Sequence, residues 1–169
     1  MIECFVDGSC KRNPGPGGYG VIIFEPWDDT IVQYLHHEKV NTMTTNNREE
    51  LKAIIHASEW FMNECPKDET CVIYSDSSYC VNILNDWMYK WGCNDWINSH
   101  GKQIENIDLI TILYNYYTKK ISNCQVKKIK GHNQNVGNEL ADALATFNKK
   151  KFIEFSQHIQ NKDEILEKF

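Results

Sequence analysis

The chain opens on an alternating apolar run, Ile2 to Val6, that ends at Asp7-Gly8-Ser9 and predicts a β-strand stopped by small polar residues. Asn13-Pro14-Gly15-Pro16-Gly17-Gly18 then predicts a tight, non-helical turn. Tyr19 to Phe24 and Thr30 to Leu35 are β-rich runs separated by a turn containing proline and aspartate, so the first third reads as a three-stranded antiparallel meander. From Asn47 the period changes: Leu51, Ile54, Ile55, Ser58 and Met62 share one helical stripe, with Thr45 or Asn46 as N-cap. Cys71 to Ser75 is a buried-type strand, followed by helix-compatible residues from Ser77 to Leu84. Trp87, Trp91 and Trp96 lie in a segment broken by Gly92 and Gly101. Ile104 to Tyr117 predicts a helix, Gln125 to Ile129 a last strand and Lys130 to Gly137 a loop; Asn138 opens a final helix with Leu140, Ala141, Leu144 and Ala145 inward. The order βββαβ, helices, βα predicts an α/β fold with a mixed sheet and helices on both faces. Sites in such sheets gather at strand ends, where Asp7 and Asp76 fall.

A length of 169 residues with 41% hydrophobic content suits a single core. The amino terminus shows no charged flank followed by an apolar run, so neither a secretory signal nor a membrane span is expected. A cytoplasmic setting follows, or a nuclear one in a eukaryote. Seven cysteines, odd in number and without a C-x-x-C pair, read as reduced and mostly buried rather than as disulfides or a zinc site. A net charge of −5 argues against coating nucleic acid by bulk attraction, but not against an acidic site that carries its own cations. Lys119, Lys120, Lys127, Lys128, Lys130 and Lys149 to Lys151 cluster late in the chain, as a solvated face or as a nucleic-acid patch; position leaves both open.

Four acids carry the candidate chemistry: Asp7 in FVDGSC, Glu50 in TNNREEL, Asp76 in IYSDSS and Asp142 in NELAD. Brought together they would repel and raise one another's pKa values, so a fold that assembles them calls for divalent cations. Asp7 alone could end a strand, Asp76 could cap the following helix, and Asp142 could be a solvated helix charge. Glu50 lies at the edge of the buried stripe, in line with Ile54, Ala57 and Phe61, and reaches inward; Glu49 is farther round and only favours the helix dipole. His132, beside the loop that leads to Asp142, is a candidate proton carrier. His36, His37, His56, His100 and His158 read as ordinary surface or packed histidines. Gly15 to Gly20 matches G-x-G-x-x-G, but Pro16 interrupts it and a strand follows where a dinucleotide site needs a helix.

DGSC, NPGPGGYG, TTNNREEL, SDSSYC, W-x-x-x-W-x-x-x-x-W, ENIDL and KGHNQNVGNELADALA stand in the order and spacing of one family. From about Ile2 to Lys149 the chain resembles the type 1 ribonuclease H family. The resemblance implies a five-stranded mixed sheet with flanking helices. It implies hydrolysis of the RNA strand of RNA–DNA hybrids with two Mg²⁺ ions, Mn²⁺ substituting, leaving 5′-phosphate and 3′-hydroxyl ends. It makes Asp7, Glu50, Asp76 and Asp142 metal ligands, Asp7 between both ions, and His132 an aid to proton transfer or product departure.

By the same resemblance Asn13, Asn46 and Asn47 reach the minor groove, with Cys10 nearby through its backbone, and Ser78 stands where relatives often carry Gln. Trp87 packs on a DNA sugar, and Thr45 and Asn106 hold a DNA phosphate, although Met43 replaces a frequent Arg. Gly92 to Asp95 replace a Lys/Arg-rich handle, which predicts weaker hybrid binding, offset if at all by the carboxyl-terminal lysines. A monomer of one catalytic domain, residues 1–150, is expected, with 151–169 as a helical or disordered extension. A DNA-cutting transposase, integrase or resolvase of the same fold and a catalytically silent hybrid-binding module are the competing readings; TTNNR, NPGPGGYG and the intact acids favour the hybrid nuclease.

Overall fold

Strand alternation sorts the apolar residues of this computed structural model, which describes residues 1–35 and 39–169, into two layers. On β1 (Ile2–Cys10), Ile2, Cys4 and Val6 face one side with Val21 and Ile23 of β2 (Gly15–Glu25), Cys71 and Ile73 of β5 (Cys71–Ser75) and Val126 of β6 (Cys124–Lys128). Phe5 and Ile22 face the other side with Val32 of β3 (Asp28–Leu35). The first layer is covered by α1 (Asn46–Glu64), α2 (Ser78–Asn82), a π-helical turn (Ile83–Trp87), α3 (Met88–Gly92) and α4 (Ile107–Lys119). The second is covered by α5 (Val136–Ala145), α6 (Lys149–Phe155) and α7 (Lys162–Leu166). The mixed sheet with helices on both faces is thus as expected.

The sheet runs β3-β2-β1-β5-β6, antiparallel through the first three and parallel after, as predicted. It holds one strand more than the five expected: β4 (Lys39–Thr44) pairs with the start of β2, while β3 pairs with its end. The 11 residues of β2 are long enough to carry both short strands in tandem on one edge. That length also corrects the glycine-rich segment. Gly15 to Gly20 lie in β2 rather than in a turn, which is confined to the residues before them.

Residues 151–169 fold back onto the second layer. Phe152, Ile159 and Ile165 are buried there, and Phe169 packs 5.4 Å from Phe152. The same tail blunts the open edge of β3: the Asn161 carboxamide accepts from Val32 N and donates to Val32 O, and Gln160 N donates to Thr30 O. His36 and His37 lie outside the described residues. His56 is packed, 3.0 Å from the Tyr19 hydroxyl, whereas His100 and His158 are exposed. All seven cysteines are free, but only Cys4, Cys71 and Cys80 are fully buried, and Cys93 is exposed. No helix among the described residues is long and apolar enough to cross a membrane.

Phe152→Ala should cost about 3–5 kcal/mol, the scale of an aromatic deletion that leaves a cavity. Urea denaturation of the full chain reads the loss.

Candidate active site

Asp7 sits inside β1 rather than at its end, at the point where one neighbour stops. Parallel pairing with β5 reaches only Phe5↔Tyr74, whereas pairing with β2 continues through Asp7↔Gly20. Asp76 follows the last residue of β5, so the register carries it alongside Asp7. Its side chain is not spent on capping: Ser77 caps α2, with its Oγ accepting from Cys80 N at 3.2 Å. Glu50 comes from the first turn of α1, which Thr45 caps by accepting from Arg48 N at 3.1 Å. Gly8 lets that turn lie directly on β1, since a Cβ there would stand 2.3 Å from Glu50 N. The Gly8 amide then donates to Glu50 Oε1 at 2.9 Å. Asp142 arrives on α5, held close to the sheet by Gly20, where a Cβ would meet Leu144 Cβ at 2.5 Å and Ala141 O at 2.6 Å.

Asp7, Glu50 and Asp76 each present a ligand atom within 4.8 Å of the others. Asp142 joins them through a side-chain hydrogen bond with Asp7. All four, with His132, Asn46 and Asn47, line one open cavity of about 290 Å³. His132 is exposed on the loop before α5, and its charge acts on both Asp76 and Asp142.

Burial, then the neighbouring Glu50 charge, pushes Asp7 well above the usual carboxylate range. Burial likewise raises Glu50 to about 7. Burial raises Asp76 against the opposing pull of Lys128 and His132. Asp142 alone is lowered: burial works upward, but the hydrogen bond with Asp7 and the Lys151 ammonium outweigh it. Four carboxylates, three of them raised toward holding a proton, are hard oxygen donors that fit a divalent cation of the Mg²⁺ or Mn²⁺ type, whose charge would replace those protons.

Glu49 departs from expectation. It is fully buried, accepting from Thr44 Oγ1 at 2.9 Å and pairing with Lys52 at 3.0 Å, because the start of α1 lies against β1 at Gly8, where a Cβ would stand 2.9 Å from Glu49 Cβ.

The remaining predicted contacts form a rim. Asn13 Oδ1 accepts from Asn46 N at 3.0 Å, while the Cys10 thiol turns away to the carbonyls of Gly15 and Thr44. Ser78 is exposed on the first turn of α2. Asn106, in a left-handed conformation with φ 59°, donates to the Tyr79 hydroxyl and accepts from Arg48. Tyr79 packs on Trp87, and Trp87 on Trp91, with centroids 6.3 and 5.9 Å apart. Trp96 packs edge-on against Tyr114, so all three tryptophans are half-buried rather than freely presented.

Two residues emerge that the motifs did not single out. The Arg48 guanidinium links Asn106 to Asp108, while its backbone N–H donates to the Thr45 cap; its place one turn after the cap was the available signal. Lys151 reaches Asp142 Oδ2 at 2.5 Å and Glu139 Oε2 at 2.8 Å, and nothing in the sequence announces it. Lys151 is therefore withdrawn from the basic surface on which hybrid binding was expected to draw.

The RNase H family model matches residues 1–150. A ribonuclease H of Methylobacillus flagellatus is 38% identical over 151 residues, covering 86% of this chain and 89% of that protein. One of Orientia tsutsugamushi is 34% identical over 172 residues, covering 98% and 92%. Among solved structures, LC9-RNase H1, described as a type 1 enzyme with the type 2 active-site motif, superposes with a TM-score of 0.69 at 25% identity, covering 86% of this chain and 70% of that one. The fold is that of ribonuclease H, an endoribonuclease family. The chain belongs to the ribonuclease H family.

The raised Glu50 pKa sets a pH dependence. The unfolded carboxyl ionises near 4.5 while the folded one holds its proton to about 7, so the unfolded state binds fewer protons and metal-free stability falls across that window. Glu50→Gln should remove this share of the decline, raising Tm above that of the parent by an amount that grows toward pH 7. The gain is about 2–4 °C per kcal/mol relieved in a chain of this size. Thermal melts in chelator, from pH 4.5 to 8, test it; a difference between the two proteins that stays flat with pH would contradict it.

Proposed function

We propose that this ribonuclease H hydrolyses the RNA strand of RNA–DNA hybrids at the four-carboxylate site, using two divalent cations, Mg²⁺ with Mn²⁺ as substitute, and leaving 5′-phosphate and 3′-hydroxyl ends. The observation that carries this reading is the meeting of Asp7, Glu50 and Asp76, joined by Asp142, in a cavity whose rim also holds Asn46 and Asn47. A foamy viral protease-reverse transcriptase and LC11-RNase H1, both with this fold, have been solved in complex with RNA/DNA hybrid.

Asp7, Glu50, Asp76 and Asp142 would hold the cations. Bound there, divalent cations supply a more acidic water and stabilise the charge that builds on attacking and departing oxygens. The chain's own residues do the rest. Asn13, Asn46 and Asn47, linked by the Asn13–Asn46 hydrogen bond, offer amide groups to the 2′-hydroxyls that mark RNA in a wide minor groove. Cys10 shapes that corner from behind, and Ser78 supplies a short hydroxyl beside Asp76. Thr45, Asn106 and Arg48 form a polar corner for a phosphate of the DNA strand, and Arg48 makes up in part for Met43, which is exposed without a charge. Trp87, braced by Tyr79 and Trp91, presents a ring edge to a sugar. His132 carries a proton at the rim, beside Asp76 and Asp142, without holding metal. The enzyme acts as a cytoplasmic monomer, or a nuclear one in a eukaryote. Residues 1–150 form the catalytic domain and 151–169 a helical extension.

Labelled hybrid, duplex DNA and duplex RNA incubated with Mg²⁺ should show cutting of hybrid RNA alone. Asp76→Asn should lower that rate by about 10²–10³-fold, the scale of losing one group that stabilises developing charge. Equal cutting of duplex DNA, or an undiminished mutant, would sink the proposal. His132→Ala should lower kcat by about 10²-fold, typical of a lost proton-transfer group. Calorimetric Mn²⁺ affinity should stay unchanged in that variant, because the imidazole holds no metal.

A further inference from the structure

The carboxylate cluster touches a cation of the chain's own. After α5 the backbone reverses: Phe147 adopts φ 56°, Asn148 N donates to Ala143 O at 2.9 Å, and the Asn148 side chain accepts from Lys151 N at 3.0 Å to cap α6. This turn carries Lys151 back over α5. Its ammonium lies between Asp142 Oδ2 at 2.5 Å and Glu139 Oε2 at 2.8 Å, with all three side chains largely removed from solvent. Among the described residues Lys151 is the cation paired with Glu139, whose second oxygen, Oε1, is buried without a hydrogen bond. Lys151 is thereby tethered at Glu139 whether or not Asp142 engages it.

We propose that Lys151 is a resident counter-ion of the active site: it neutralises Asp142 when the carboxylates hold no metal, and it lowers their affinity for divalent cations. The inference rests on the reading of Asp7, Glu50, Asp76 and Asp142 as metal ligands. The physics has one sign. An ammonium in contact with a ligand carboxylate competes for the same oxygen electrons, and its charge repels any cation placed beside that carboxylate. Neutralising Lys151 leaves Asp142 fully available and the cluster more negative, so metal binds more tightly. The metal-free protein loses an attractive contact at the same time, and the stabilisation gained on adding metal becomes larger. Glu139 keeps the ammonium at hand after a cation has taken Asp142, so the exchange needs no movement of α6.

The test is Mn²⁺ and Mg²⁺ binding to the full chain by isothermal titration calorimetry, with the metal-induced rise in Tm as a second readout. Lys151→Met removes the charge, Lys151→Gln removes it while keeping a hydrogen-bond donor, and Lys151→Arg keeps it. Met and Gln variants should each bind Mn²⁺ about fivefold or more tightly than the parent, the lower end of coupling between interacting sites. Both should gain more Tm on metal addition, and the Arg variant should match the parent. Unchanged or weaker affinity in the Gln variant overturns the proposal even if the Met variant fails to fold. A Tm lowered equally with and without metal, at constant affinity, shows a purely structural lysine and overturns it too. Parent protein that binds neither ion refutes the metal-site reading itself, a result distinct from the others.

Discussion

Everything near the site answers to carboxylates that the fold buries side by side, where loss of water first and mutual repulsion second disfavour their charge. Two of the four are nearly removed from solvent, where an ionised carboxyl is least tolerable unless partnered. Besides the pull of Lys128 and His132 on Asp76, the described contacts show further partial remedies. The Gly8 amide feeds Glu50, protons are retained on Asp7 and Glu50, and Lys151 draws off the charge of Asp142. None of these removes the excess, and that residual strain is what gives the cluster its appetite for a divalent cation. Stability of the metal-free chain and readiness to take a cation therefore oppose each other at this point.

Much of this was legible from local pattern. The period change at Asn47 located α1, and the inner edge of its stripe placed Glu50 rather than Glu49 toward the cluster. The repeated phrase of apolar run, Asp and small polar residues marked Asp7 and Asp76 as strand-end acids, and the β1–β5 register, which the phrase does not announce, brings them together. What escaped depended on distant pieces. Glu49 is buried because Gly8 of β1, far earlier in the chain, lets the start of α1 settle directly on that strand, with the Thr44 hydroxyl donating to its carboxylate. Lys151 belongs to a run of three lysines that reads as solvated, and only the reversal at Phe147 and Asn148 turns one of them inward. Non-local pairing and a left-handed backbone residue leave little trace in a linear pattern.

The surface around the site is built more from shared hydrogen bonds than from free charge. Arg48 divides its guanidinium between Asn106 and Asp108, and Tyr79 connects Asn106 to the paired rings of Trp87 and Trp91. In place of a basic handle, the segment after Trp91 folds on itself, with Asn98 accepting from His100 N and Lys102 N. Such a surface favours a partner through fit and amide contacts, and its long-range pull on a polyanion is modest.

Gly20 has a meaning that its chemistry does not suggest. It is the strand partner of Asp7 and the floor on which Ala141 and Leu144 rest, one residue before and two after Asp142. The separation of two carboxylates is thus written as a missing methyl group. Any side chain at position 20 would push α5 from the sheet and draw Asp142 away from Asp7, although the glycine itself offers no charged or ligating side chain. Its work is that of a spacer.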